Sequence, residues 1–210
     1  MNISNTRVYG IAESIYASGY PMMDSPPTEE EFAIAVSEIN TAIEAKKQGF
    51  TIYNKHIERM KNLGSSKLGS GHGQALIGCI VQFDLCIPVK VWVEAQRYHF
   101  LDFVSSMSTM HKIKDFKLTS DGMDASVDQR IIDILNEKQE QYNANPTSDN
   151  LLELLMNVPV GMNLTARMTT NYAQIKTMIS QRKTHRLPHW HIFCNWGNAL
   201  PMYKEMTERG

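Results

Sequence analysis

Five residues in this chain have side chains suited to recognising a planar or anionic ligand, and each lies beside an apolar segment. Arg182 closes the run Asn171 to Arg182, in which Ile175, Met178 and Ile179 fall on one helical face. Asn171 opens that run with an amide that can both donate and accept. Far upstream, His72 precedes an apolar run, and Arg97 and His99 are expected on the helix after it. A guanidinium is planar, permanently charged and able to bond two ligand atoms at once, and imidazole can exchange a proton near neutral pH. Cationic and polar groups on core-forming elements point to a ligand site rather than to plain surface.

Each residue also has a bland reading. A cation at a helix C-terminus complements the helix dipole, which would explain Arg182. Arg97 can lay its stem along a helix surface, and a loop histidine such as His72 can simply be exposed. The run His185, His189, His191 and Cys194 invites a metal reading, but Pro188 interrupts it and no close cysteine pair completes a zinc pattern, so no metal is expected. Gly64 to Gly73 (GSSKLGSGHG) lacks the Gly-Lys-Ser/Thr of a phosphate-binding P-loop. It reads equally well as a linker or as a ligand-facing loop, since a strongly apolar run follows at once. The methionines from Met107 to Met110 suit a core or a subunit interface.

The elements that would position these groups are legible in part. Thr28 with Glu31 forms a capping box after Pro26-Pro27, and the helix it opens should run to about Lys47, with Phe32, Ile34, Ala35, Ile39 and Ile43 inward. A short helix is expected over Ile52 to Leu63. Ala75 to Leu85 alternates as a strand with one well-buried face, and Pro88 starts a helix with Val91, Ala95 and Tyr98 inward. Residues 112–126 read as a polar excursion. Helices follow over Val127 to Tyr142 and Asn150 to Met156, then a strand over Asn163 to Thr170, the helix from Asn171, and another from about His189. Residues 1–24 give no clear pattern. The expectation is a single α+β domain over residues 1–210, with a central, mostly antiparallel sheet and long flanking helices.

Composition narrows the function classes. A formal net charge of -1 gives no electrostatic case for nucleic acid or a membrane surface as partner. No apolar stretch is long enough to span a bilayer, and the first ten residues lack a signal-peptide layout. Cys79, Cys86 and Cys194 are simplest as reduced thiols in a cytoplasmic protein.

Two blocks of sequence resemble the flavin-dependent thymidylate synthases. The first is His72 to His99, GHGQALIGCIVQFDLCIPVKVWVEAQRYH from Gly71. It matches the family's His, apolar strand, and Pro-initiated helix bearing Gln-x-x-Arg-His-Arg, with no gap from His72 through Pro88 to Arg97. Arg97 is retained, while Glu94 stands for the Gln, Tyr98 for the His and His99 for the second Arg. One inserted residue then sets Ser108 at the second Ser of the family's Ser-x-Asn-Glu-x-Ser-x-Arg. The second block is Pro159 to Arg182, PVGMNLTARMTTNYAQIKTMISQR, which matches the family's Pro, strand, Asn-x-Arg and helix ending in Leu-Arg.

The resemblance implies a homotetramer that holds FAD and transfers a one-carbon unit from methylenetetrahydrofolate to dUMP, with NADPH replenishing reduced flavin. It implies Arg182 and His72 as catalytic, with Arg182 stabilising charge that develops on the uracil. Arg97, Glu94, Ser108 and Arg182 would meet the nucleotide. Gln74, Arg97, Tyr98, His99, Asn171 and Thr177 would line the flavin. The family grips the dUMP phosphate with an Arg where this chain has Leu155, and Lys112 and Arg167 are the candidate substitutes. These departures keep two further readings open. One is a variant pyrimidine hydroxymethylase. The other is a non-catalytic nucleotide-binding or structural relative that retains the oligomeric scaffold.

Overall fold

A computed structural model describes residues 1–208 of the chain. Strands β1 (Asn2–Tyr9), β2 (Ile80–Pro88), β3 (Asp102–Ser106) and β4 (Asn163–Asn171) form one antiparallel sheet in the order β1-β2-β4-β3. The direction of the central pair follows from its two ends. The Tyr172 N–H donates to the Cys79 carbonyl at one end and the Val89 N–H to the Met162 carbonyl at the other, so residue numbers rise in β2 as they fall in β4. The helices are α1 (Ile11–Ala17), α2 (Glu29–Lys47), α3 (Lys55–Gly64), α4 (Val89–Ala95), α5 (Thr109–Lys112), α6 (Gln129–Ala144), α7 (Ser148–Met156), α8 (Tyr172–Arg182), α9 (Pro188–Asn198) and α10 (Tyr203–Thr207). The expected α+β architecture, an antiparallel sheet with long helices, is the one observed.

The chain divides into two compact units. Met1–Asn5 with Phe83–Met168 make the first, and Thr6–Gln82 with the chain from Thr169 onward make the second. In the first, Ile113, Leu118, Met123, Ile132, Leu135, Leu154 and Met162 form a buried cluster. Three of these come from the segment expected to be a polar excursion. It carries two short 3-10 turns, Ile113–Asp115 and Ser120–Gly122, and α6 satisfies further carbonyls from the side. Gln139 donates to the Ile113 and Phe116 carbonyls at 2.6 and 2.9 Å, and Asn136 donates to that of Leu118 at 3.0 Å. On α6 only Ile132 and Leu135 are buried, while Ile131 and Ile134 face solvent.

In the second unit α1 packs on α2, α3 and a 3-10 turn at Gln74–Gly78, α10 packs on α3, and α8 on α9. The capping box of α2 forms as expected: Thr28 Oγ1 accepts from the Glu31 N–H and the Glu31 carboxylate accepts from the Thr28 N–H. Those bonds hold the Glu31 carboxyl below its usual range. Its buried face is Ala35, Ile39, Ala42 and Ile43; Ile34, expected inward, is exposed and Ala42 takes its place.

Besides β3, a strand that no pattern announced, four placements differ most from the sequence expectation. The unpatterned residues 1–24 hold β1 and α1. β2 begins at Ile80 rather than Ala75, because a 3-10 turn first buries Leu76 and exposes Ile77. α3 begins at Lys55, where Asn54 caps it by accepting from the His56 and Ile57 N–H groups. α4 stops at Ala95, so Arg97 and His99 lie beyond the helix rather than on it; the chain turns there and buries Leu101.

Candidate functional site

The glycine-rich segment after α3 is a cavity wall. Its residues from Ser66 to Gly71, with Gly73, Gln74, Leu76 and Ile77, line about 280 Å³ against Ala173, Lys176 and Thr177 of α8. Of the predicted flavin-lining residues, Gln74 and Thr177 are in this wall. Gly71 and Gly73 line it on either side of His72, whose own side chain is exposed. The lining carries Lys67 and Lys176 and no carboxylate, so its charge favours an anionic ligand.

Helix α8 is set by Asn171. Its backbone is extended, and its side-chain oxygen accepts from the Gln174 N–H at 2.9 Å, an N-cap bond. The residue is 8% exposed. The amide nitrogen Nδ2 is the atom the cap does not use, and Asn171 is not among the residues that line the cavity. Thr177 donates its hydroxyl to the Ala173 carbonyl one turn back at 3.1 Å and keeps acceptor capacity toward the cavity.

Arg182 lies at the other end of α8. Its guanidinium carbon sits 4.4 Å from the centroid of the Trp190 ring on α9, and Trp190 is buried. That is a cation–π contact, and it half-buries the cation as the apolar pattern required. Ile175 and Met178 are fully buried on the same helix.

The remaining predicted residues belong to the first unit. Glu94 is half-buried near the end of α4. Arg97 and His99 are exposed, and Tyr98 between them is half-buried. Tyr98 donates its N–H to the Ala95 carbonyl and accepts that of Leu101, so the segment is a turn with defined bonds. Ser108 caps α5 by accepting from the His111 N–H at 3.3 Å. The ten predicted site residues thus divide between the units: His72, Gln74, Asn171, Thr177 and Arg182 in the second, Glu94, Arg97, Tyr98, His99 and Ser108 in the first.

Two candidate phosphate cations are already engaged. Arg167 Nη1 donates to Asp84 at 3.2 Å and to the Asn5 carbonyl at 2.8 Å, and Lys112 pairs with Asp115 at 3.4 Å. The Asn5 amide, together with Arg167, holds the Asp84 carboxyl below its ordinary range. Cys79 is buried, and desolvation pushes its thiol up to about 12, so it is no thiolate nucleophile near neutral pH. Burial likewise raises the Tyr172 phenol, whose hydroxyl donates to the Pro201 carbonyl at 2.6 Å. Among the described residues no group of three His, Cys, Asp or Glu side chains is placed to hold a metal ion. No described helix is long and apolar enough to cross a membrane.

Sequence reasoning missed Lys176 and Lys67. The signal for Lys176 was a cation beside the buried Ile175 on an otherwise apolar stretch of α8; the signal for Lys67 was a lone cation within a glycine and serine run.

No model of a known protein family matches the chain, and no curated protein sequence does. Solved structures do. The flavin-dependent thymidylate synthase ThyX of Helicobacter pylori, complexed with FAD and dUMP, superposes with a TM-score of 0.65 over 98% of this chain and 96% of its own, at 10% identity. The fold is that of the flavin-dependent thymidylate synthases. A second structure of the Helicobacter pylori ThyX with FAD and dUMP gives the same TM-score at 11% identity, covering 98% of this chain and 95% of the other. The UMP/dUMP methylase PolB of Streptomyces cacaoi, bound with 5-Br UMP, covers 80% of this chain and 88% of its own with a TM-score of 0.53 at 12% identity. A thymidylate synthase-like fold therefore persists here with very little shared sequence.

Proposed function

We propose that the chain is a FAD-dependent enzyme that transfers a one-carbon unit to a deoxyuridine nucleotide, of the dUMP-to-dTMP type, with methylenetetrahydrofolate and NADPH. The observation that carries this reading is a cationic cavity on α8, lined by Gln74 and Thr177, in a fold shared with a ThyX solved with FAD and dUMP. The donor set suits a flavin nucleotide. An amide and a hydroxyl can meet polar ring edges, and two lysines with a flexible glycine backbone can meet phosphoryl oxygens. At about 280 Å³ the cavity takes part of such a cofactor rather than all of it.

In this reading FAD, when bound, supplies the reducing equivalents. The protein's own groups bind and orient. Asn171 and Thr177 offer hydrogen bonds to the flavin, and Gln74 borders it. His72 sits on a glycine-flanked loop where it can orient the cofactor or relay a proton. Arg182 stabilises charge that develops on the uracil, held in direction by Trp190. The family resemblance assigns Arg97, Glu94 and Ser108 to the nucleotide, and Arg97, Tyr98 and His99 to the flavin. A homotetramer is part of the proposal. It is supported by the exposed Phe100, Phe103, Val104, Met107 and Met110 of the first unit, a run of apolar surface that a lone subunit would leave wet. Three free cysteines suit a cytoplasmic setting.

A second reading rests on Leu155. Where the family carries its phosphate-gripping Arg, this side chain packs against the first unit's apolar cluster. A scaffold relative that binds a nucleotide without turning it over would tolerate that exchange. Purified protein carrying a flavin absorption band, and releasing tritium from C5-labelled dUMP with folate, FAD and NADPH, supports the enzyme. The product mass then separates dTMP from a hydroxymethylated nucleotide. Colourless protein that ignores added FAD leaves only the scaffold.

A further inference from the structure

Lys176 makes bonds that no family motif requires. Its ammonium donates to the Gly64 carbonyl at 2.6 Å and to the Ser66 carbonyl at 2.7 Å. Gly64 ends α3, and Ser66 starts the loop that walls the cavity. One side chain from α8 therefore pins the point where the loop departs from its helix. Among the described residues the loop's other hydrogen bonds are local: the Ser65 N–H to Lys61, the Ser66 N–H to Leu63, the Ser70 N–H to Lys67, and the Ser65 and Ser66 hydroxyls to Asn62. Gly69 and Gly71 take left-handed conformations, at φ +82° and +80°, with open space around each. Such a segment resists opening only through its tethers. An ammonium has three donors, and the two carbonyls use two of them. Burial lowers the Lys176 pKa, so the group is sensitive to a compensating anion.

We propose that Lys176 is the positioning residue of this cavity: it fixes the shape of the loop over residues 65–73 and, with Lys67, presents positive charge to a phosphoryl group of the ligand. The inference deepens the flavin-nucleotide reading above and rests on it for the ligand's identity. The phosphoryl oxygens can come from the pyrophosphate of FAD or from the 5′-phosphate of dUMP. In either case ligand binding and loop order are coupled through one nitrogen, since a loop held closed lowers the entropy cost of binding.

Trypsin reads the loop directly, because Lys67 is itself a cleavage site in its middle. The full chain, Lys176→Met and Lys176→Arg are digested under native conditions, and the peptide ending at Lys67 is followed by mass. Lys176→Met keeps the apolar stem and removes the donors. Cleavage after Lys67 is expected to accelerate about tenfold or more while sites in α6 are unchanged. Lys176→Arg can still reach two carbonyls and should restore slow cleavage. In the unaltered protein FAD, dUMP or both slow this cleavage, whereas riboflavin and deoxyuridine, which lack the phosphate, do not. Protection by FAD alone assigns the pyrophosphate; protection by dUMP alone assigns the nucleotide phosphate and leaves the inference standing without flavin. Unchanged cleavage in Lys176→Met overturns the positioning role, as does equal acceleration at every site. Equal protection by riboflavin and FAD, or by deoxyuridine and dUMP, overturns the phosphoryl role, as does no protection by any of them.

Discussion

In the second unit, side chains reach far along the chain to bond backbone. Lys176 bonds two carbonyls of the α3 terminus and loop, and Arg59 donates to the Ile15 and Tyr16 carbonyls, the Ser18 hydroxyl and His56 Nδ1. In the first unit, all five residues of β3 are exposed, and Phe103 and Val104 show 44% and 57% of their surface. Polar side chains fix backbone in both units, through Gln139 and Asn136 in the first; what the first unit adds is an edge strand exposed along its whole length. One unit's own residues thus account for the cavity on α8, while the surface around Arg97 to Ser108 carries apolar side chains left exposed in the single chain. Five experiments test this difference.

The largest effect is expected at Leu135. It is fully buried in the first unit's cluster, so Leu135→Ala should cost about 2–5 kcal/mol in a denaturant titration. Hydrogen exchange then decides how separate the units are. Faster exchange confined to α6 and α7 means that the first unit opens by itself. Equal acceleration in α8 means that both open together, and the comparison loses its force.

Gly64→Ala tests the second unit's frame. A Cβ at Gly64 would lie 2.0 Å from the Met206 carbonyl oxygen, which is backbone and cannot swing aside. Separation of α3 and α10 should cost about 1–3 kcal/mol. It would also displace the carbonyl that Lys176 holds, so cleavage after Lys67 should rise with it. A variant as stable as the parent would mean that the close approach is not a constraint.

Arg182→Ala separates ligand binding from packing. Loss of the Trp190 contact is expected to cost about 0.5–1 kcal/mol, while nucleotide binding by calorimetry should vanish. A far larger stability loss with binding intact would make Arg182 a strut between α8 and α9 and nothing more.

Which parts of this were legible in the sequence follows from how local the signal is. The α2 capping box and the start of α8 at Asn171 are written within four residues of themselves, and both formed; of the expected α8 stripe, Ile175 and Met178 are buried and Ile179 is half-buried. β1 escaped because it is an edge strand with no fully buried residue, so its sequence has no need to alternate. The end of α4 escaped because no Gly or Pro marks it; burial of Leu101 sets it from a distance. The irregular stretch from Ile113 to Met123 hid three core residues because its backbone is satisfied by amides on α6, which no local pattern announces. For the site, Gln74 and Thr177 come from the family resemblance rather than from any local pattern, and both line the cavity. The role of Lys176 depends on a loop more than a hundred positions earlier in the chain, which only the fold reveals.

His56 gives a smaller, pH-dependent effect. It is 9% exposed, and Arg59 donates to its Nδ1 at 2.9 Å, an arrangement that suits the neutral ring. Burial first, then the Arg59 and Lys55 charges, lower its pKa from 6.5, and Glu38 opposes them only in part. A base whose pKa is lower in the folded state binds more protons unfolded. Its contribution to stability is therefore complete above about pH 6.5 and is lost as pH falls through the folded value. Thermal midpoints should decline between neutrality and pH 5, before most carboxylates titrate. His56→Gln should flatten that decline, and an unchanged slope would move its cause elsewhere.

The smallest effect on stability, and the sharpest test of the first unit, is Val104→Lys. The side chain is exposed on the edge strand β3, so the monomer should lose no more than about 0.5 kcal/mol. A lysine there opposes pairing of the edge with another chain, because burying its charge against an apolar neighbour is costly. In sedimentation the parent should associate and the variant should shift toward monomer with its melting temperature nearly unchanged. If both sediment alike as oligomers, the subunit contact lies away from β3, and the uncovered apolar run must serve another partner. If the parent is itself a monomer, the proposed tetramer fails, while the cavity on α8 stands unaffected because every residue lining it comes from one unit of one chain.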